Sequence, residues 1–158
     1  MIVERINQFF KYVYSYVDDD DKLYIEKYLN SREKELFYKL SIHEQKHAVN
    51  VARDVDKRCS EEDMIKAALL HDIGKIYIKL NLIDKSILVI LDFISKGKLK
   101  KFSKIKKVYC HYNHSYIGYC MLKELENEEV LFLVKNHHNN SIKDNAKLDI
   151  LKKYDDEN

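Results

Sequence analysis

Proline and tryptophan are missing from this sequence, and glycine occurs three times in 158 residues. A β-sandwich or barrel turns its chain tightly at many places and normally draws on proline and glycine to do so. Long helices joined by short polar loops suit this composition better. Cysteine is scarce as well: Cys59, Cys110 and Cys120 are an odd number without a close pair, so a disulfide framework is not expected and a reducing compartment is. No run is apolar enough to span a bilayer, because the longest, Leu82 to Ile94, is broken by Asp84, Lys85 and Asp92. Glu4 and Arg5 interrupt the start, which excludes a signal-peptide pattern. The protein is therefore expected in the cytoplasm, with no membrane partner. The formal net charge of +2 is too small to favour duplex nucleic acid, and no reading motif is present.

What is present is a globular balance, 46% hydrophobic and 34% charged, in a chain long enough for one domain with a real core. The apolar residues recur at helical spacing. Ile2, Val3, Ile6, Phe9, Phe10, Val13 and Val17 predict a helix over 2–17. The acids Asp18 to Asp21 end it and open the next, since carboxylates suit a helix N-terminus. Ser31 is the expected N-cap of a third helix, and Ser41 with Glu44 forms a capping-box pattern for a fourth carrying His47, Val51 and Val55. Ser60 opens a helix whose inner face holds Met64, Ala67, Ala68 and His71, with Gly74 as its stop. Further helices are predicted near 84–95, 115–125, 128–137 and 144–156. No segment alternates with period two, so the fold class is all-α.

Chemistry concentrates in the seven histidines. His47 lies mid-helix on an apolar face, His71 and Asp72 end the most apolar helix, His114 opens one, and His137 and His138 close another. A buried aspartate is costly unless paired or bound to a cation, and a core imidazole needs a partner at each ring nitrogen. Taken singly, His47 reads as a satisfied core histidine, His71-Asp72 equally well as a helix end, and His137-His138 as a solvated terminus. Taken together, on the inner faces of different helices, they are better explained by one shared cation. Imidazole with carboxylate suits Fe, Mn, Zn, Ni or Co. A structural zinc module built on Cys110, His111, His114 and Cys120 lacks the close cysteine pair it would need. The basic run Lys96 to Lys107 reads first as a solvated face, and second as a patch that steers an anionic substrate.

The order of these residues carries a resemblance. His47, then His71-Asp72-Ile73-Gly74-Lys75, then His114 with Gly118, then His137-His138, then Asp155 resembles the HD-domain metal-dependent phosphohydrolases, and more narrowly the HDIG-type bacterial hydrolases. It covers about Glu44 to Asp156. It implies a helical bundle around one or two divalent transition-metal ions, an HD domain over 41–158; residues 1–40 lie outside the resemblance and are expected as a helical extension packed on the same compact domain. It implies His47, His71, Asp72 and Asp155 as ligands of a first metal, with Asp72 bridging to a second held by His114 and His137. It also implies Asp72 and Lys75 as catalytic residues, with Lys75 and His111 binding the substrate. His138 remains an alternative to His137. Asp149 and Asp156 compete with Asp155, which is preferred because it shares a helical face with Leu148 and Leu151. The implied reaction is hydrolysis of a small phosphate ester or anhydride, a nucleotide above all, by a metal-activated water. The alternative is a nucleotide-sensing domain with weak turnover. Asn139, Asn140 and Ser141 follow the histidine pair, and without proline the Gly-Tyr-Pro motif of the cyclic-dinucleotide branch is impossible. The Tyr-rich residues 1–40 are compatible with a lid, extra core or the face of a homodimer.

Overall fold

The computed structural model describes residues 15–78 and 82–158, which form eight α-helices and no strand. In chain order these are α1 (Asp19–Tyr28), α2 (Ser31–Phe37), α3 (Ile42–Arg58), α4 (Glu62–Leu70), α5 (Leu82–Ser95), α6 (Lys106–Leu122), α7 (Glu128–Asn136) and α8 (Ala146–Glu157). Short 3-10 turns at Ile73–Tyr77 and Lys98–Phe102 follow α4 and α5.

Polar side chains start most of these helices by occupying backbone N–H groups that have no intrahelical acceptor. Asp18 accepts from the Asp21 amide at 2.8 Å and opens α1 with a reciprocal capping box. Asn30 caps α2, so Ser31 is that helix's first residue rather than its cap. Ser41 and Glu44 form the expected box at α3. The start of α4 falls at Glu61, which makes no side-chain cap, rather than at Ser60. Residues 15–17 are not helical, and the rest of the helix expected over 2–17 lies outside the described residues.

The apolar faces meet in one core. Val49, Val51, Ala52 and Val55 of α3 join Ile65, Ala68 and Leu69 of α4, Leu133 and Val134 of α7, and Leu148 and Leu151 of α8. Ile25, Leu29, Phe37 and Leu40, from the segment before α3, belong to the same cluster. Helix α4 is buried from Met64 to Leu70 except at Lys66, as a helix apolar on nearly every side must be. Its C-terminal end therefore delivers His71 and Asp72 to the middle of the molecule.

Gly74 is not a helix stop. α4 ends at Leu70, and Gly74 lies in the following turn, where α6 crosses it. A Cβ on Gly74 would stand 1.9 Å from the His114 carbonyl oxygen and 2.6 Å from the Gly118 amide nitrogen. Backbone thus packs directly on backbone, and Gly118 allows it from the other side, with Ile73 and Gly74 beside it. His114 does not open a helix either: α6 begins at Lys106, and His114 lies near its middle, where this contact holds it close to Asp72.

Candidate metal centre

Six elements send side chains to one point. His47 comes from α3, His71 and Asp72 from the end of α4, and Lys75 from the turn behind it. His114 comes from α6, His137 and His138 from the end of α7, and Asp155 from α8. Two groups result, in each of which the donor atoms lie within 4.8 Å of one another. One is His47, His71 and Asp155; the other is Asp72, His114, His137 and His138.

Asp72 stands between them and turns a different oxygen to each. Its Oδ2 lies 3.4 Å from His71 Nε2 and 4.0 Å from His47 Nε2. Its Oδ1 lies 3.3 Å from His114 Nε2 and 3.9 Å from His137 Nε2. Asp155 Oδ1 closes the first group, 3.0 Å from His47 Nε2 and 3.2 Å from His71 Nε2. In the second, His138 Nε2 lies 3.0 Å from His114 Nε2.

The imidazoles are oriented by their outer nitrogens. Nδ1 of His71 donates to the Ala68 carbonyl at 2.7 Å, Nδ1 of His137 to Val134 at 2.7 Å, and Nδ1 of His114 to His111 at 3.0 Å. A carbonyl can only accept, so in each ring Nδ1 carries a proton, and Nε2 faces inward, where it can ligate a cation once it holds no proton. This is the arrangement that metal-ligating histidines adopt. Nε2 of His71 and of His137 are both buried without a hydrogen bond, although carboxylates lie nearby off the hydrogen-bond direction. Orphaned buried nitrogens are costly in a core, and a cation would satisfy them. The donor set fits such an ion.

Charges at this point are strongly displaced. Burial opposes the Asp72 carboxylate, yet Lys75 and His71 hold it well below the usual range. Lys75 contacts Asp72 Oδ2 and, against the effect of burial, that carboxylate raises the lysine. Burial would keep His71 neutral, but Asp72 and Asp155 lift it to about 10. Burial and the His71 and His138 rings push His137 far down. Desolvation and the His114 ring bring His138 to about 4. His111 is half-buried, and burial with the nearby His114 ring keeps it neutral. Before any cation enters, protons and Lys75 carry the positive charge that the two aspartates demand.

The structure thus gathers His47, His71, Asp72, Lys75, His114, His137 and Asp155 and sets His111 one turn before His114. Asp149 and Asp156 are exposed on α8. His137 and His138 both bring donor atoms to the second group. His138 was legible only as an alternative because a helix end does not fix which of two neighbours turns inward. The His43 ring stacks on His47 at 6.5 Å, beside the first group rather than in it. No cysteine belongs to either group among the described residues.

Comparison with protein families agrees with this geometry: the HD domain model matches residues 41–156. The chain belongs to the HD domain family. HD domains bind divalent metals and are generally hydrolases, and the match runs from the cap of α3 to Asp156. No curated protein and no solved structure matched the chain. No helix among the described residues of this HD domain is long and apolar enough to cross a membrane.

Proposed function

We propose that this HD domain hydrolyses a small phosphate ester or anhydride, a nucleotide being the favoured class, at the His/Asp cluster. The observation that carries the reading is the pair of buried, unbonded Nε2 atoms on His71 and His137, turned toward opposite oxygens of Asp72. His47, His71, Asp72 and Asp155 would hold one divalent ion, and Asp72, His114, His137 and His138 a second. Such an ion supplies Lewis acidity and lowers the pKa of a bound water from 15.7 to about 7.

The chain's own residues do the rest. Asp72 is held ionised, so both its oxygens are available to two ions. Lys75 is half-buried and kept protonated beside Asp72, which suits it to a non-bridging phosphate oxygen once a cation takes over the pairing of Asp72. His111, neutral at pH 7, can donate one hydrogen bond to the same phosphate without adding charge. The Nδ1 bonds to carbonyls fix the imidazoles before substrate arrives, so little reorganisation is needed.

The test is a hydrolysis panel of aryl phosphate, nucleoside mono-, di- and triphosphates and dinucleotides, run with each of Mn, Fe, Co, Ni and Zn and with chelator. Turnover of at least one member, lost with chelator and regained with metal, is expected. Tight nucleotide binding with no product over hours would replace this reading with the sensing domain.

A further inference from the structure

We infer that α5 and the lysine-rich turn after it form a docking surface for an anionic lipid bilayer. Ile87, Ile90, Leu91 and Ile94 follow the i, i+3, i+4, i+7 spacing of one helical face, and they are 48, 55, 44 and 69% exposed. A helix of a globular domain normally turns such a stripe inward. Here the inward side is a different one: Leu88 is buried, the Tyr112 hydroxyl donates to Asp92, and Lys107 pairs with Asp84 at 2.7 Å. These bonds tie α5 to α6 and leave the apolar stripe facing water. Phe93, at 75% exposure, extends it.

The chain then reverses through Lys96 and Gly97, both left-handed at φ 50° and 78°, so the next turn packs against the end of α5. That turn and the start of α6 interleave exposed Phe102 and Ile105 with exposed Lys98, Lys100, Lys101, Lys104 and Lys106. None of these lysines, nor Lys96, makes an ion pair among the described residues. A large exposed apolar patch marks an interaction site. One bordered by unpaired lysines matches the two demands of an anionic bilayer, apolar insertion and headgroup attraction. A second copy fits less well. A second copy would have to supply acids to these lysines, and both acids of α5 are already engaged, Asp84 by Lys107 and Asp92 by Tyr112. The expectation of no membrane partner rested on the lack of a spanning segment; surface docking needs none.

The full-length chain should be sedimented with vesicles of mixed phosphatidylglycerol and phosphatidylcholine, and with vesicles of phosphatidylcholine alone. Binding to the first, weakening as salt rises, and little to the second is expected. Ile90→Glu with Ile94→Glu, and separately Lys98, Lys100, Lys101 and Lys104 all to Gln, should each lower binding about tenfold or more. Melting temperature should not move, because these side chains are exposed; should the glutamate pair unfold the protein, the lysine variant decides. Failure to bind anionic vesicles overturns the inference. Equal binding to both vesicle types, an undiminished lysine variant, or a solution dimer that Ile90→Glu dissociates would also overturn it.

Discussion

Among the described residues, two buried clusters of ionisable groups, one around Lys66 and one around Asp72, solve the same problem differently. In one, Glu33 and Glu126, with side chains 0 and 3% exposed, share Lys66, whose Nζ lies 3.5 and 3.8 Å from them. Burial, and then the hydrogen bond and charge of Glu33, push Glu126 up to about 8. An ammonium and a retained proton thus offset two carboxylates inside the chain. In the other, around Asp72, two imidazole nitrogens remain without a hydrogen bond although acids and a lysine lie close. The first cluster also leaves a Glu126 oxygen without a hydrogen bond but holds its own ammonium and proton; the second leaves imidazole nitrogens, the donor type that a transition-metal ion takes. Burial alone therefore does not mark a functional site. The chemical type of the unsatisfied atom does.

The sharpest way to break this contrast is at Asp72. Asp72→Ala or His71→Ala should remove both bound metal and hydrolysis, a loss of about a thousandfold or more in rate. Elemental analysis beside a rate assay checks it, and activity surviving with metal content intact would erase the distinction. Next in size is Gly74→Ala, which forces a methyl into the His114 carbonyl. It should cost about 3 kcal/mol in a denaturation titration and weaken metal uptake, because the same contact positions His114.

The acid cluster answers to pH instead. Unfolded, the Glu126 carboxyl titrates near 4.5, and folded near 8. Between those values the folded state holds a proton that the unfolded state has lost, so this group's contribution to stability is present below 4.5 and falls as pH rises toward 8. Glu126→Gln should flatten the decline of melting temperature over that window without changing metal content. A slope identical to the parent's would remove the proposed shared proton. The smallest effect is expected at Cys120, exposed and outside both groups. Cys120→Ser should change stability by about 0.5 kcal/mol or less and leave bound metal alone. Metal loss there would revive a cysteine-based module.

Legibility followed periodicity and capping. The inward faces of α3, α4 and α8 could be read because apolar residues repeat every three or four positions, and Asp18, Ser41 and Glu44 announced two helix starts. The start of α6 could not. Ile105, its N-cap, makes no side-chain cap, and Lys106 and Lys107 hide the apolar pattern. Gly74 was misjudged as a helix stop because its partner, the backbone of His114, lies 40 residues away. The Glu33–Lys66–Glu126 cluster was invisible for the same reason: three polar residues from separate elements leave no period. The order of histidines and aspartates was informative because metal chemistry restricts residue type more tightly than packing does.

Elemental analysis of the purified full-length protein, prepared without chelator, tests the central claim most directly. About one to two equivalents of a divalent transition metal per chain are expected. Stripping the ion should lower the melting temperature, since it binds the folded state alone. A metal-free protein that takes up none of Mn, Fe, Co, Ni or Zn, and whose melting temperature ignores them, would contradict the assignment of these imidazoles and carboxylates to a cation.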